Sequence, residues 1–595
     1  MKSKNFELGL IRSLKEIFPY LKEPKEEFAE LFLKLNYAML DGDLCLPIES
    51  DSLFVKSTYP LPFKVLNQNG ENFLYFEKTL EDKISLENNL KKFLSKEQNP
   101  ATELGIDPMK ILSDLEELYR QNSFNPNFQL EIEQKQTILN STKHGLQLIV
   151  GGPGTGKTTV VSFILSLFQK LSLLPDVDQI VLVAPTGRAA QRLTESLQNN
   201  LTFLGMENNF IKNIQGQTIH SVLKINPTNG KPFFDQNRTF TYDLMIVDEV
   251  SMVDLRTMRM FFDALDKNIR IILLGDPNQL PSVEKGEVLS DFLTEFDKFP
   301  NRVSKLIHSK RYKQGTLLYE ISEILKLSFL KPSSLVPKFE IPNYKIKDLE
   351  NANEAIIWIK NQENNELSRD EFLVWVWSHY FKQTCLEIAN LHWKESDLQS
   401  PEAYKIFTKL NTKYKCLTIL KKGYFGIESF HDHIIQIAEK EIFSNKQDFS
   451  IGHLRLNNQF YFEGMPLLIV RNDRIRNLFN GDIGFVIKIE DELRAVFAIN
   501  HQLFSFALDT LPNHTFAFFL TVHKSQGSEY DNVVFYLPRM SESNPENELP
   551  LLNRKIMYTA ITRAKKQVLL AGSEKSWTVG LQNYRKRITG FSLRT

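Results

Sequence analysis

The stretch that most constrains how this chain can fold is 151–159, GGPGTGKTT, which follows directly on the apolar run 146–150. It fits G-x-x-x-x-G-K-[ST], with Gly151 and Gly156 as the fixed glycines, Lys157 as the cation and Thr158 as the hydroxyl. Glycines let such a loop turn its backbone N–H groups inward, toward phosphate oxygens. In this pattern the lysine reaches the β- and γ-phosphates and the hydroxyl ligates Mg2+. Gly152, Pro153, Gly154, Thr155 and Thr159 fill out the cradle. Residues 159–171 read as a helix, with Val160, Ile164 and Phe168 at a spacing of four, so a positive dipole end faces the same phosphates. A glycine-rich turn can match the pattern by chance, but the strand–loop–helix setting argues against that. A nucleoside triphosphate site is expected.

Such an opening calls for a parallel sheet. Apolar runs at 179–184, 244–247 and 271–274 alternate with helical stretches, which implies a doubly wound α/β layer. Ligands of these sheets bind beyond the carboxyl ends of the strands, and each run here ends in polar, chemically capable residues. The run 244–247 ends in Asp248-Glu249. Paired acids at a buried strand end are costly without a partner. Mg2+ would supply one for Asp248, and activation of an attacking water would give Glu249 its use; a solvated acidic turn is the plainer alternative. The run 271–274 leads into GDPNQLPSV, placing Gln279 where an amide could sense a γ-phosphate or orient the water. The polar, turn-rich residues 226–242 suggest an excursion from the sheet as a small hairpin.

Composition bounds the remainder. A chain of 595 residues suggests about three or four domains. Apolar content of 42% and charged content of 24% are ordinary for globular protein. Lys plus Arg and Asp plus Glu stand at 72 each, so a nucleic-acid partner would need a local basic groove rather than a basic total. Cys45, Cys385 and Cys416 are far apart, keep no metal-ligand spacing, and point to a reducing compartment. The N-terminus lacks the apolar core of a signal peptide, and no apolar run approaches the ~18 residues that span a bilayer. A cytoplasmic location is expected. Residues 1 to about 120 are mostly helical in pattern, with DGDLCLPI at 41–48 as a turn into a short strand. Residues 315–405 look helix-rich, with Trp358, Trp375, Trp377 and Trp393 in a core. New strands begin at 416–420. Short apolar stretches broken by Gly464, Asn480-Gly481 and Gly484 then indicate a small antiparallel unit, after which the α/β pattern returns.

Two α/β domains with one complete P-loop suggest a motor whose nucleotide lies in the cleft between them. The remaining motifs resemble those of superfamily 1 helicases and, within these, the RecD family, the alpha subunit of exodeoxyribonuclease V. They include DGDLCLPI (41–48), APTGRAAQRLTES (184–196), TIHSVL (218–223), VDEVSMVDL (247–255) and GDPNQLPSVEKGEVLSDF (275–292). LKKGYFGIESF (420–430), RNDRIRNLFNGDIG (471–484), VHKSQGSEYDNVVF (522–535) and YTAITRAKKQVLL (558–570) complete the set. Single motifs are widely shared; the combination in this order is specific.

The resemblance implies a helical N-terminal domain (1–120) that docks on partner subunits. A first RecA-like domain (121–330) and a second (331–595) would follow, the latter with an SH3-like insertion near 455–512. It implies ATP and Mg2+, with Gln134 recognising adenine, Lys157 and Thr158 holding phosphate and Mg2+, Asp248 holding Mg2+, Glu249 as base and Gln279 coupling γ-phosphate state to movement. Arg311 and Arg563 would be arginine fingers from the far side of the cleft; such a finger is worth ~10³-fold or more in rate. Lys310 stands where the family usually has an aromatic residue and is the alternative finger of its segment. Pro185, Thr186, Gly187, Arg188, His220 and residues 521–526 (Thr521, His523, Ser525 and Gln526 among them) match segments that touch the DNA strand through sequence-independent contacts. The activity implied is 5′→3′ DNA translocation and unwinding, as a motor subunit beside RecB-like and RecC-like partners in break repair and recombination. A standalone RecD-like helicase is the nearest alternative, and a P-loop regulatory protein without motor activity a more distant one.

Overall fold

The computed structural model describes residues 26–49, 63–95, 107–326, 340–444, 451–539 and 551–593, apart from the single positions 69, 283, 300, 364, 474 and 585. The apolar runs of the first half become a parallel sheet in the order Gly216–Thr218, Ile180–Ala184, Leu244–Val247, Arg270–Gly275, Leu146–Gly151 and Val303–Leu306. The strand that feeds the P-loop is buried at every residue, as a strand covered by helices on both faces must be. The period of two divides the side chains cleanly. Leu148, Val150, Ile271 and Leu273 enter one core, and Ile149, Ile272 and Leu274 enter the other beside the helix Lys157–Lys170.

The second half repeats the construction. Its parallel sheet runs Asn343–Lys345, Ile356–Lys360, Ala564–Gly572, Tyr530–Leu537, Tyr414–Thr418 and Phe519–Thr521. Alternate residues again separate, Val534 and Tyr536 to one core and Val533 and Phe535 to the other. The four tryptophans are all buried but are spread over three cores, because Trp358 sits on a strand while Trp375, Trp377 and Trp393 do not. Between the helix Ile427–Phe443 and the strand Phe519–Thr521 lies a five-stranded antiparallel sheet, ordered Gln502–Ala507, Glu492–Ile499, Ile483–Ile489, Pro466–Ile469 and His514–Phe516. The hairpin His453–Leu456/Gln459–Phe462 precedes it.

Three features depart from the sequence-based expectations. First, the described part of 1–120 is not purely helical. Beside the helices Glu26–Leu40 and Glu77–Leu94 it holds an antiparallel sheet in which Glu71–Phe76 lies between Leu46–Ile48 and Phe63–Gln68. Asn69-Gly70 between FKVLNQ and ENFLYF is the hairpin signal for it. The next helix, Pro108–Asn122, belongs with the first motor core, where the Tyr119 ring lies 5.4 Å from Phe163. Second, residues 226–242 form an irregular loop with one isolated bridge, Asp235 to Arg238, rather than paired strands. Third, the tail after the helix Glu574–Gln582 leaves the second motor half and crosses to the first. Ile588 exchanges bonds with the 41–48 turn, its N–H to Asp43 Oδ1 at 2.8 Å and its carbonyl from the Leu44 N–H at 2.8 Å. Arg587 donates to the Gly286 carbonyl at 2.7 Å, Ser592 N–H to Glu87 and Leu593 N–H to Glu295.

Candidate active site

The P-loop is held open by its neighbours. Gly156 caps the helix Lys157–Lys170 at φ +83, a left-handed conformation that suits glycine. Gln134 braces this corner: its Nε2 donates to the Thr155 carbonyl at 2.9 Å and its Oε1 accepts from the Glu131 N–H at 2.9 Å. Both ends of the amide are thus engaged by protein, at the corner where the loop meets the helix. Lys157 Nζ donates to the carbonyls of Gly151 at 2.6 Å and Gly152 at 3.2 Å, bonds that a phosphate oxygen can replace.

A cavity of about 540 Å³ brings the loop together with Asp248, Glu249, Gln279, Arg311 and Arg563. Asp248 Oδ1 accepts the Glu249 N–H at 2.8 Å, and Glu249 stands at φ +53 at the strand end. Burial raises the Asp248 carboxyl against the pull of Lys157. Burial and then the adjacent Asp248 push Glu249 up to about 7, while Arg563 and Lys157 pull it down. Both acids are raised chiefly because they are buried. The Thr158 hydroxyl and the Asp248 carboxylate, both lining the cavity, are the hard oxygen donors Mg2+ takes when substrate phosphates complete its shell.

The two arginines enter differently. Arg563 comes from the end of the helix Arg554–Ile561 in the second half and is 3% exposed. Its Nε donates to Thr559 O at 3.2 Å and its Nη1 to Ser528 O at 3.1 Å, fixing the guanidinium at the cavity wall. Arg311 follows the last strand of the first sheet, not the far side of the cleft. Its neighbours Ser309 and Lys310 bond the Pro153 and Gly154 carbonyls, while its guanidinium pairs with Glu529 and donates to Thr562 O in the second half. Lys310 turns outward, with Nζ on Gln129 O at 3.1 Å and over the Phe128 ring, so the cavity takes Arg311. Glu529 and Arg192 also line this cavity and were not singled out from sequence, although both stand inside quoted motifs. Arg192 Nη1 donates across the cleft to Gly527 O at 2.7 Å.

Residues expected to meet a strand separate into two groups. Pro185, Thr186 and Arg188 follow the strand Ile180–Ala184, where Thr186 Oγ1 caps the helix Gly187–Phe203. His220 is exposed on the short helix Ile219–Val222, not a core histidine. Thr521 and His523 are half-buried at the end of the edge strand of the second sheet, and burial lowers His523. Ser525 and Gln526 are different. Ser525 is fully buried with its hydroxyl on Val522 O at 2.8 Å. The Gln526 amide donates to Leu280 O at 2.8 Å, tying the two halves. The antiparallel insertion reaches the same face: Arg188 Nη1 donates to Gly481 O at 3.4 Å and Lys524 Nζ to Asn480 Oδ1 at 3.2 Å.

Two parallel-sheet halves, with the P-loop in one and an arginine from the other, face a shared cavity built as a nucleotide-hydrolysis site is built. The AAA domain model matches residues 134–285, and the UvrD-like helicase C-terminal domain model matches residues 516–571. The RecBCD enzyme subunit RecD of Haemophilus influenzae is 28% identical, covering 96% of this chain and 87% of that one. That of Mycolicibacterium smegmatis is 27% identical over 78% and 74%. The ATP-dependent RecD2 DNA helicase of Deinococcus radiodurans is 25% identical over 77% of this chain but 51% of that one. Over most of its length the chain is thus similar to RecD subunits of RecBCD enzymes, and within it to the AAA and UvrD-like helicase C-terminal models. Among solved structures, a Bacteroides Pif1 helicase aligns at 16% identity over 75% of this chain and 92% of that one, with a TM-score of 0.36.

Proposed function

We propose that this chain is an ATP-dependent DNA helicase that moves 5′→3′ along one strand as the motor subunit of a RecBCD-type helicase–nuclease. The observation that carries the reading is the shared cavity: P-loop, Asp248, Glu249 and Gln279 from one half, Arg563 from the other. A protein that merely held ATP would have no use for a water-activating acid and a cross-cleft guanidinium. Lys157 binds the phosphates, and Mg2+ held by Thr158 and Asp248 would neutralise charge on the β- and γ-oxygens. Glu249 takes the proton of the attacking water, while Arg563 and Arg311 neutralise the transferring phosphoryl group. Hydrolysis then depends on the halves being closed, and Pro185–Arg188, His220 and Thr521–Lys524 give that closure a strand to pull through backbone contacts.

The match covers 87% and 74% of two RecD subunits against 51% of RecD2, which favours a subunit with RecB-like and RecC-like partners over a standalone helicase. Co-purification of the native protein tests this, and its isolation without large partners would return the standalone reading. Strand displacement tests direction: a 5′-tailed duplex should open with ATP and Mg2+, and a preference for a 3′ tail would reverse the assignment. Lys157→Gln should lower DNA-stimulated phosphate release by about 10²- to 10³-fold or more, since it removes a charge aimed at the phosphates. Its circular dichroism melt should match the parent's. Near-parental turnover in that variant would dismiss the site.

A further inference from the structure

One contact across the cleft has no part in the roles above. Tyr558, fully buried on the helix Arg554–Ile561, donates its hydroxyl to Asp276 Oδ2 at 3.0 Å. The same hydroxyl presses on the P-loop: a Cβ on Gly152 would lie 2.8 Å from it, so the approach of the second half requires glycine there. Asp276 Oδ2 also accepts from Gln279 Nε2 at 3.2 Å, and Oδ1 accepts the Asn278 N–H at 3.0 Å. The amide orientation follows from chemistry. A carboxylate offers acceptors only, so Gln279 must turn its NH2 toward Asp276. Its Oε1 is then left buried, without a hydrogen-bond partner, in a residue that lines the nucleotide cavity and is 4% exposed.

A buried acceptor without a donor is costly. Phosphate oxygens at neutral pH accept and do not donate, so they cannot satisfy it; a water can. The next residue is pinned from the same side: the Leu280 N–H donates to Thr559 Oγ1 at 2.9 Å and its carbonyl accepts from Gln526. We infer that Tyr558, acting through Asp276, is a positioning residue for hydrolysis, holding Gln279 so that its Oε1 accepts a hydrogen bond from the water that attacks the γ-phosphate. The inference rests on the hydrolytic reading proposed above. In that step the water oxygen forms the new P–O bond, the bond to the β–γ bridging oxygen breaks with its electron pair leaving on ADP, and the water's proton passes to Glu249. Gln279 transfers nothing; it aims the water. The second motor half therefore sets the aim, and a half that moves away releases it. Burial also pushes the Tyr558 phenol well above its usual range, which keeps it a neutral donor.

Tyr558→Phe removes one oxygen and keeps the ring. It should lower kcat for DNA-stimulated ATP hydrolysis by about five- to tenfold, the worth of one hydrogen bond, with KM for ATP little changed. The decisive measurement is a double-mutant cycle with Gln279→Ala. If Gln279 is the endpoint, Tyr558→Phe has no further effect once that side chain is gone. Asp276→Asn, which keeps the shape and weakens the hold on the amide, should show the same dependence and serves if the phenylalanine variant folds poorly. Equal multiplicative losses in both backgrounds, or a rise in KM with kcat intact, would overturn the relay. A parent protein with no DNA-stimulated turnover would instead overturn the motor reading itself, so the two failures are separable.

Discussion

Arg563→Ala is expected to lower DNA-stimulated ATP turnover by about 10³-fold, the lower end of what an arginine finger contributes. The guanidinium is held by two main-chain carbonyls at the cavity wall, so its position is fixed before any phosphate arrives. A donor that need not be reorganised at the moment of reaction is worth most. Arg563→Lys should recover little, because an ammonium is a compact charge without the planar fork that reaches two carbonyls and a phosphate together. Binding of a fluorescent ATP analogue should persist in both variants, since Lys157 and the loop amides remain. The measurement is kcat against analogue affinity. A turnover within tenfold of the parent's would remove Arg563 from the chemistry and leave it a structural tie between the Ser528 and Thr559 carbonyls.

The second large effect is expected at Glu249. Glu249→Gln keeps the shape and hydrogen-bonding reach but takes away the base, and general-base catalysis is worth about 10²–10⁴-fold. The variant should bind ATP and DNA and hydrolyse very slowly. Stability should move the other way. The carboxyl is raised by burial and by Asp248 beside it, so folding penalises its charged form. A neutral amide relieves that, and the melting temperature of Glu249→Gln without nucleotide should equal or exceed the parent's. A variant that turns over ATP at more than a tenth of the parental rate would reassign the base.

Much of this site was legible because its residues stand at strand ends in short motifs. GGPGTGKTT and Asp248-Glu249 follow an apolar run directly and Gln279 lies in the loop after one, and a doubly wound sheet puts such positions on one edge. What was not legible lies in tertiary contacts. Gln526 and Ser525 sit in one motif, yet one bonds the opposite half and the other folds its hydroxyl inward; nothing in KSQG says which. Arg311 was expected across the cleft because a finger usually comes from there. It follows the final strand of the first sheet instead, and only its guanidinium crosses. Tyr558 reads as a core aromatic, and it is the carboxylate opposite that gives its oxygen a use. The sheet within 63–76 was missed because two six-residue strands joined by Asn-Gly are easily overlooked between long helical patterns.

The returning tail changes what kinds of motion the molecule can make. The chain already passes from the first half to the second after Leu306, and residues 586–593 bring it back to the first half at Asp43, Glu87 and Glu295. Two bodies joined at a single point can swivel in any direction; joined at two, they share an axis through the attachments. While the tail stays seated, it is a second tether that limits how far the halves can part, beside the cross-cleft bonds of Arg192, Arg311, Gln526 and Tyr558.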